Sequence, residues 1–354
     1  MSLCRSDVSV PPVPARDDDG VGDDGGGANG GRDGDQASGH GDQDNGSDRG
    51  RAAVLLTTCR SYAHMLDPFL TLWRRYWPAC PLPVFVSSDT DLQALAARHG
   101  IFTVPRQEDE GFLESWVEAL GKVPHEIVLV VQEDFLVERP VADRTMTALI
   151  EAMADDPSIL CIRTMPWPGP LGPSRVLEGA DVELGEIGPH DRWSFSWQAA
   201  LWRRRELAAF LQHRIAAGNR RVAQHLVEHP ELSPRDVTHR APRPAPDAYA
   251  WFNPEWHGHE LAELFPGRRM LGVVAKSDGD PEAMLTSPLP YWPTAVVEGE
   301  LKYRAQALLR REGILVPAEA RLESALMAAF RRLRHRGYGL LRTARHFPWR
   351  RSVA

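Results

Sequence analysis

The hydrophobic pattern of the chain is most continuous from Ile127 to Val131, where five apolar residues follow one another, three of them valine. A run without polar alternation predicts a strand that is buried on both faces at the centre of a parallel sheet. Gln132, Glu133 and Asp134 follow at once. A desolvated carboxylate pair costs free energy, and open α/β sheets bind ligands at the carboxyl ends of their strands. The pattern therefore predicts a ligand site at the end of this strand.

Around this strand, residues 51–164 alternate between extended apolar runs and helical spacings. In the first helix, Asp67 is expected as the N-cap and Pro68 as the first residue, and apolar residues recur at i, i+3, i+4 and i+7 from Phe69. Strands that alternate with helices imply right-handed crossovers and a mainly parallel sheet, so we expect a Rossmann-like α/β arrangement here. The other predicted strands are 53–58, 82–88, 101–104 and 158–164, and the other predicted helices start near Thr90 or cover 112–121 and 141–154.

Residues 165–316 are less regular. The Pro- and Gly-rich stretch 165–192 is too long for a simple connection, and loops of that length are often functional. Further predicted elements are a strand that passes into a helix over 194–207, a helical stretch near 219–228, a strand at 270–276 and a short helix at 299–311.

The two ends of the chain differ from this body in composition. Residues 1–50 contain eleven Asp, four Arg and no Glu, a net charge of −7, and almost no aliphatic side chains. We expect this segment to be disordered, and it does not resemble a targeting peptide. Residues 317–354 carry nine Arg and two Glu, a net charge of +7. Their apolar spacing predicts a basic amphipathic helix, which either lies on an anionic membrane or packs on the domain.

The remaining composition narrows the function class. Residues 51–316 carry a net charge of −7, which does not suggest a nucleic-acid partner. The four cysteines form no CxxC pair, so neither a zinc site nor a disulfide framework is indicated. No apolar run approaches the roughly 20 residues that cross a bilayer. We expect a soluble or peripheral protein of the cytoplasm, which 317–354 could hold at the inner face of the membrane.

Six blocks of sequence in order carry a resemblance to a known family. Together they resemble bacterial GT-A-type, family 2-like glycosyltransferases of surface polysaccharide assembly, over roughly residues 53–314. The blocks are VLLTTCRSYAHMLDPFLTLWRRYWPACPLPVFVSSD, ESWVEAL, VLVVQEDFLVERPV, CIRTMPWPGP, SFSWQAALWRRREL and VVEGELKYRAQALLRREGI.

The resemblance implies a GT-A-like α/β domain at 51–316, with a nucleotide-binding half at 51–164 and an acceptor half at 165–316. It implies a nucleotide-sugar donor on the carboxyl edge of the sheet, a Mn²⁺ or Mg²⁺ ion that bridges its diphosphate to an acidic motif, and a glycan or lipid-linked acceptor. Glu133 and Asp134 occupy the position of that motif. Because successive side chains of a strand point to opposite faces, the two carboxylates cannot both be direct ligands if the strand continues through them. We favour Asp134 as the ligand and Glu133 as its support, either through water or through a contact behind the ligand.

The resemblance also implies donor contacts at the ends of the first two strands. Thr57, Thr58 and Arg60 would lie beside the base and ribose, and Asp89 would accept a hydrogen bond from the base or a sugar hydroxyl. Arg60 could equally be a surface arginine, and Asp89 could simply cap the helix that starts near Thr90.

Two further segments of the family pattern are expected at the site. Ser115 and Trp116 fall on the helix that closes over the donor in similar enzymes, although Trp116 also fits a core position. Gln198 and Trp202 would form the sugar or acceptor wall.

Residues 253–264 hold the second dense group of polar side chains, Glu255, Trp256, His257, His259 and Glu260. A transferase needs a carboxylate or imidazole to take the proton of the acceptor hydroxyl, and we expect Glu260 or Glu255 in that role. Metal binding by His257 and His259 and a merely polar loop are the alternatives.

A second class of function stays open at this point. A non-catalytic GT-A-like carbohydrate-binding or assembly module would keep the sheet without the chemistry. A nucleotidyltransferase is less favoured, because the end of the first strand lacks a Gly-rich basic signature for phosphates.

Overall fold

The computed structural model describes residues 50–106, 111–166, 169–170, 172–191, 193–232, 248–275, 285–292, 294–297 and 299–328. The predicted disordered segment 1–50 lies outside the described residues except for Gly50, and so does most of the basic segment 317–354.

Twelve strands and eight α-helices form the described part of the chain. The strands are β1 Ala52–Thr57, β2 Val84–Ser88, β3 Phe102–Pro105, β4 Ile127–Val131, β5 Ile159–Arg163, β6 Ser174–Val176, β7 Glu183–Ile187, β8 Ala200–Arg203, β9 Arg269–Val273, β10 Val296–Val297, β11 Glu300–Leu301 and β12 Arg321–Leu322. The helices are α1 Leu66–Tyr76, α2 Gln93–His99, α3 Phe112–Lys122, α4 Asp143–Asp155, α5 Arg204–Glu228, α6 Ala248–Phe252, α7 Glu260–Leu264 and α8 Tyr303–Arg311, with 3-10 turns at Ala63–Met65 and Pro254–Trp256.

Nine strands form one sheet in the order β3-β2-β1-β4-β8-β5-β9-β7-β6. Strands β1 to β4 pair in parallel, and β5 pairs in parallel with β9. Strand β8 runs antiparallel between β4 and β5, and β7 runs antiparallel to its two neighbours. The other seven strands therefore share one direction. The predicted α/β fold, a mainly parallel sheet flanked by helices, is confirmed.

The central strands divide their side chains between two apolar layers. In β4, Ile127, Leu129 and Val131 contribute to one layer, which includes the buried faces of α1, α4 and α8. Val128 and Val130 contribute to the other, which includes α3, α5 and α7. Burying each such side chain stabilises the fold by about 1.5–3 kcal/mol. The unbroken apolar run of β4 is thus explained by burial on both faces.

Several boundaries differ from the predicted ones. Helix α1 begins at Leu66 after a 3-10 turn, so Asp67 is not its N-cap. Asp67 instead accepts hydrogen bonds from Arg98 and His99, both at 2.8 Å, because it faces the end of α2. The helix predicted to begin within 194–207 and the helical stretch predicted near 219–228 are one helix of 25 residues.

Two further predictions are corrected by local structure. Arg321–Leu322, inside the predicted basic helix, pairs as a strand with β11. Cys80 and Cys161 are free thiols, whereas Cys59 is disulfide-bonded, which sequence spacing did not indicate. Within the described ranges, no helix has both the length and the apolar character needed to cross a bilayer.

Candidate functional site

The acidic residues after β4 lie in a turn, which we call the acidic turn, Gln132 to Phe135. The strand ends at Val131, and the Phe135 N–H donates to the Gln132 carbonyl at 3.1 Å. Glu133 and Asp134 are both buried, with 6% and 7% of their surface exposed. Strand alternation would separate the two side chains only if the strand continued through them, and this condition is not met, because the strand ends at Val131.

Burial raises the pKa of both carboxyl groups. For Glu133 the main cause of the raised pKa is desolvation, followed by repulsion from Asp134, while a hydrogen bond from Thr58 and the charge of Arg106 oppose it. Desolvation also raises the pKa of Asp134, whose Oδ1 is buried without a hydrogen-bond partner. Across the described residues, neither carboxylate forms an ion pair with Lys or Arg. An unpaired buried oxygen beside a second carboxylate fits a hard divalent cation, which prefers oxygen ligands.

The ends of β1, β2 and β3 place polar side chains at the same edge of the sheet. Thr57 and Thr58 are buried at the end of β1, and the Thr58 N–H donates to the Ser87 carbonyl at 2.9 Å. Arg60 is exposed on the turn that follows. Because Thr58 also bonds to Glu133, this edge joins the expected donor contacts to the acidic turn.

Asp89 follows β2 and lies 3.7 Å from Arg106, the residue that follows β3. Asp89 does not cap α2, because the Gln93 N–H bonds to the Asp91 side chain at 2.9 Å. Asp89 Oδ1 and Arg106 Nε are both buried without a hydrogen-bond partner. The pair therefore has an acceptor and a donor available for a ligand. Arg106 is not among the predicted site residues, although its place close behind a strand is a usable signal.

Reversed strand β8 brings Gln198 to this edge as well. Its first residue, Ala200, pairs with Val130 near the end of β4, so the residues just before β8 lie near the acidic turn. The Tyr291 hydroxyl donates to Gln198 Oε1 at 2.9 Å and accepts from the Ala199 N–H at 2.8 Å. Gln198 is thus held in one orientation, as a positioned sugar contact would need to be.

Tyr291 also connects this network to the acidic turn. Its fully buried ring stacks on Phe135, with ring centroids 4.6 Å apart. Nearby, the Ala295 N–H donates to the Asp134 carbonyl at 3.0 Å, directly after Thr294, which has a φ of 67°. A non-glycine residue in the left-handed region is strained unless its surroundings hold it. The segment 285–297 thus fixes the backbone of the acidic turn, a role that the sequence analysis did not identify.

Two aromatic residues expected at the site are instead in the core. Trp116 has no exposed surface and stacks on Trp197 at 5.2 Å, while its neighbour Ser115 bonds to the Phe112 carbonyl. Trp202 lies within β8, between Val128 and Cys161. Both tryptophans therefore support the site from inside and are not available to a donor or acceptor, because the apolar layer covers them.

Glu255 and Glu260 occupy different environments. Glu255 is 9% exposed, and its Oε1 accepts the Trp197 N–H at 3.1 Å, one residue before Gln198. Desolvation is the main cause that raises the pKa of Glu255 to about 7. Glu260 bonds through both oxygens to Arg214 at 2.6 Å. Both Glu260 oxygens are occupied by the Arg214 guanidinium, whereas Glu255 has no arginine partner in the described structure, so the geometry favours Glu255 over Glu260 as a base.

The contact between the 253–260 segment and β8 is close. A Cβ on Gly258 would collide with the Phe195 backbone nitrogen and the Ser194 hydroxyl, so only glycine fits there. This packing fixes Glu255 beside the residues that lead into β8. Trp256 projects outward and is 64% exposed. His257 and His259 lie near Glu260, where the Arg214 guanidinium disfavours the cation site that was considered for them.

Comparisons with known proteins give partial matches only. No family model and no curated protein sequence matches the chain. A mannosyltransferase from Pyrobaculum calidifontis in complex with GDP-Man and Mn²⁺ is 21% identical over 44% of this chain and 45% of its own, with a TM-score of 0.30. CMP:2-keto-3-deoxy-manno-octonic acid synthetase complexed with CTP is 16% identical over 64% of this chain and 90% of its own, with a TM-score of 0.34.

S. aureus TarS is 17% identical over 46% of this chain and 29% of its own, with a TM-score of 0.31. The aligned parts thus span less than half of the mannosyltransferase and less than a third of TarS.

Proposed function

We propose that this protein is a metal-dependent glycosyltransferase that moves a sugar from a nucleoside diphosphate sugar to a hydroxyl group of a glycan or lipid-linked acceptor. The observation that carries the proposal is the buried acidic turn, whose carboxylates form no ion pair with Lys or Arg among the described residues, at the sheet edge where β1, β2 and β3 also end in polar residues. Leaving two carboxylates desolvated costs free energy, which a bound cation would offset. A purely structural role does not account for that cost.

Asp134 would hold a Mn²⁺ or Mg²⁺ ion through Oδ1, and Glu133 would support it through water. When bound, such an ion neutralises the charge that develops on the departing diphosphate. The donor's base and ribose would lie along Thr57, Thr58, Arg60 and Asp89. We add Arg106 to this group, because it pairs with Asp89 and has a buried donor unused. Trp116 is omitted from the contacts that we propose.

Gln198 would contact the transferred sugar, since Tyr291 fixes its side chain beside the acidic turn. Glu255 would take the proton of the acceptor hydroxyl as that oxygen attacks the sugar carbon. Its pKa of about 7 is close to the pH at which a general base both is ionised and accepts a proton well. This carboxylate favours an enzyme over a binding module, which has no use for a poised base.

A metal-dependent donor screen on the purified chain tests the proposal. Thermal unfolding would be followed with a panel of nucleoside diphosphate sugars, each with and without Mn²⁺. We expect stabilisation by at least one donor only when Mn²⁺ is present, and its loss in Asp134→Asn. Glu138→Gln is the matched control, because Glu138 is also buried and near the turn but is paired with Arg304 at 3.1 Å.

Two results would contradict the proposal. One is that no donor stabilises the protein with metal, and the other is that Asp134→Asn responds as the unsubstituted protein does. Stabilisation by glycans alone, without nucleotide or metal, would instead support the carbohydrate-binding module.

A further inference from the structure

The last turn of α5 carries three potential metal ligands on one face. His225, Glu228 and His229 each offer a ligand atom, and these atoms all lie within 4.8 Å of one another. Their spacing of i, i+3 and i+4 makes them neighbours on a helix surface. We call this group the α5 cluster. It lies outside the acidic turn and shares no residue with the proposed donor or acceptor contacts.

Each member of the α5 cluster has a neighbour that restricts its orientation. His229 Nδ1 lies 3.2 Å from Glu231 Oε1, which leaves Nε2 for a ligand. The Gln224 side chain donates to Glu228 Oε1 at 2.9 Å, which leaves Oε2. The His225 ring packs 5.4 Å from the Trp251 ring of α6. Carboxylates that orient histidine ligands in this way are a usual feature of metal sites.

The electrostatic setting favours a cation. The C-terminal end of a helix carries a partial negative charge, and the α5 cluster lies at that end. Glu231 adds a further carboxylate beside it. In the described part of the chain, neither Glu228 nor Glu231 forms an ion pair with Lys or Arg. Glu228 and His229 are exposed, so an ion could reach them without any rearrangement of the fold.

The group of His257, His259 and Glu260 provides an internal contrast. Its ligand atoms also lie within 4.8 Å of one another. However, Arg214, with only 3% of its side chain exposed, bonds to both Glu260 oxygens. A fixed guanidinium at that distance repels a cation and occupies its carboxylate ligand. Donor groups are close together in both places. Among the residues that the structure describes, an arginine bonds to the carboxylate of the His257 group but not to that of the α5 cluster.

We propose that the α5 cluster binds one divalent transition-metal ion of the Zn²⁺ type, with water completing its coordination. Two imidazoles and a carboxylate are ligands that Zn²⁺ accepts and that Mg²⁺ does not favour. The ion would be chemically distinct from the one proposed at the oxygen-only acidic turn. The ion would hold His225, which packs against Trp251 of α6, together with Glu228 and His229 at the end of α5.

Direct binding measurements on the full chain, prepared without a polyhistidine tag, test this site. Zn²⁺ would be titrated by calorimetry in excess Mg²⁺, which competes for the oxygen ligands of the acidic turn. We expect a Zn²⁺ equivalent whose affinity falls at least 10-fold in His225→Ala/His229→Ala and by a smaller factor in Glu228→Gln. Far-UV circular dichroism checks that these substitutions, at half-buried His225 and at exposed Glu228 and His229, leave the fold intact. Because no activity is measured, the outcome is independent of the proposed glycosyltransferase function.

His257→Ala/His259→Ala is the matched control. This variant should keep the Zn²⁺ equivalent with unchanged affinity. Unchanged Zn²⁺ binding in His225→Ala/His229→Ala overturns the proposal. Loss of that binding in the control variant instead of the α5 variant also overturns it and assigns the ion to the other group.

Discussion

Glu255 and Glu260 stand five positions apart on one short segment, yet their surroundings are opposite. Glu255 is buried against the Trp197 N–H and has no cation within ion-pair distance in the described structure. Glu260 is held by Arg214 and lies 3.2 Å from His257 Nδ1. Burial raises the pKa of Glu255 to about 7, while the negative charge of Glu260 is balanced by the Arg214 guanidinium.

The difference shows that a carboxylate's chemistry is set by what it touches and not by its position in a motif. Both residues have the same side chain and stand in the same short segment of the chain. The raised pKa of Glu255 suits it to exchange a proton near neutral pH, whereas Glu260 holds α7 against α5 through Arg214. Three experiments test this difference between Glu255 and Glu260.

The largest expected effect is on turnover. Glu255→Gln keeps the shape and the hydrogen bond to Trp197 but cannot accept a proton. We expect kcat to fall by about 10²–10⁴-fold, the usual contribution of a general base, with donor binding unchanged. Glu260→Gln should alter kcat per folded molecule little. Steady-state assays of both variants with the donor found in the screen make the test. Equal losses in the two variants would contradict the contrast.

The next effect is on the pH dependence of stability. Because the folded-state pKa of Glu255 is raised from 4.5 to about 7, its contribution to stability is present below about pH 4.5 and is lost as pH rises through 7. A shift of this size corresponds to about 3 kcal/mol. Urea unfolding of the protein and of Glu255→Gln at pH 5 and pH 8 measures it. The protein should lose more stability than the variant between the two pH values, and parallel losses would contradict the raised pKa.

The smallest effect is on the stability of the protein when the ion pair between Glu260 and Arg214 is broken. Glu260→Gln leaves the Arg214 charge, which is buried, without a counter-charge. The amide oxygen can still accept a hydrogen bond, so we expect a loss of about 1–2 kcal/mol in the free energy of unfolding. Denaturant unfolding at pH 7 measures this loss, with Arg268→Gln as the control, since Arg268 is more exposed and lies 3.4 Å from Glu206. An unchanged free energy of unfolding would show that the ion pair does not contribute to stability.

Local sequence pattern predicted the first half of the sheet well. The run Ile127–Val131 is β4 with the predicted bounds, because burial on both faces leaves an unbroken apolar signature. β1, β2, β3 and β5 agree with their predictions to within two residues at each end, for the same reason. The predicted candidates at the ends of these strands lie at one edge, as parallel pairing requires.

The remainder depends on contacts between residues far apart in the chain. No local pattern shows that Arg214 forms an ion pair with Glu260, 46 positions later, or that Arg106 pairs with Asp89. Trp116 was expected at both a ligand surface and the core, since helical spacing shows which face is apolar but not what covers it. The role of Tyr291 in positioning Gln198 could not be predicted from the sequence, because it depends on two hydrogen bonds and a stacked ring that only the fold brings together.

Strand β8 also has a consequence for the order in which the chain folds. It fills the position between β4 and β5 but arrives about seventy residues after β4, with Ala200 opposite Val130. Until it does, the five apolar residues of β4 present an unpaired edge, which is a template for intermolecular pairing. Closing such a long loop is slow relative to local pairing. The nascent chain is therefore most exposed to aggregation in the interval between synthesis of β4 and docking of β8.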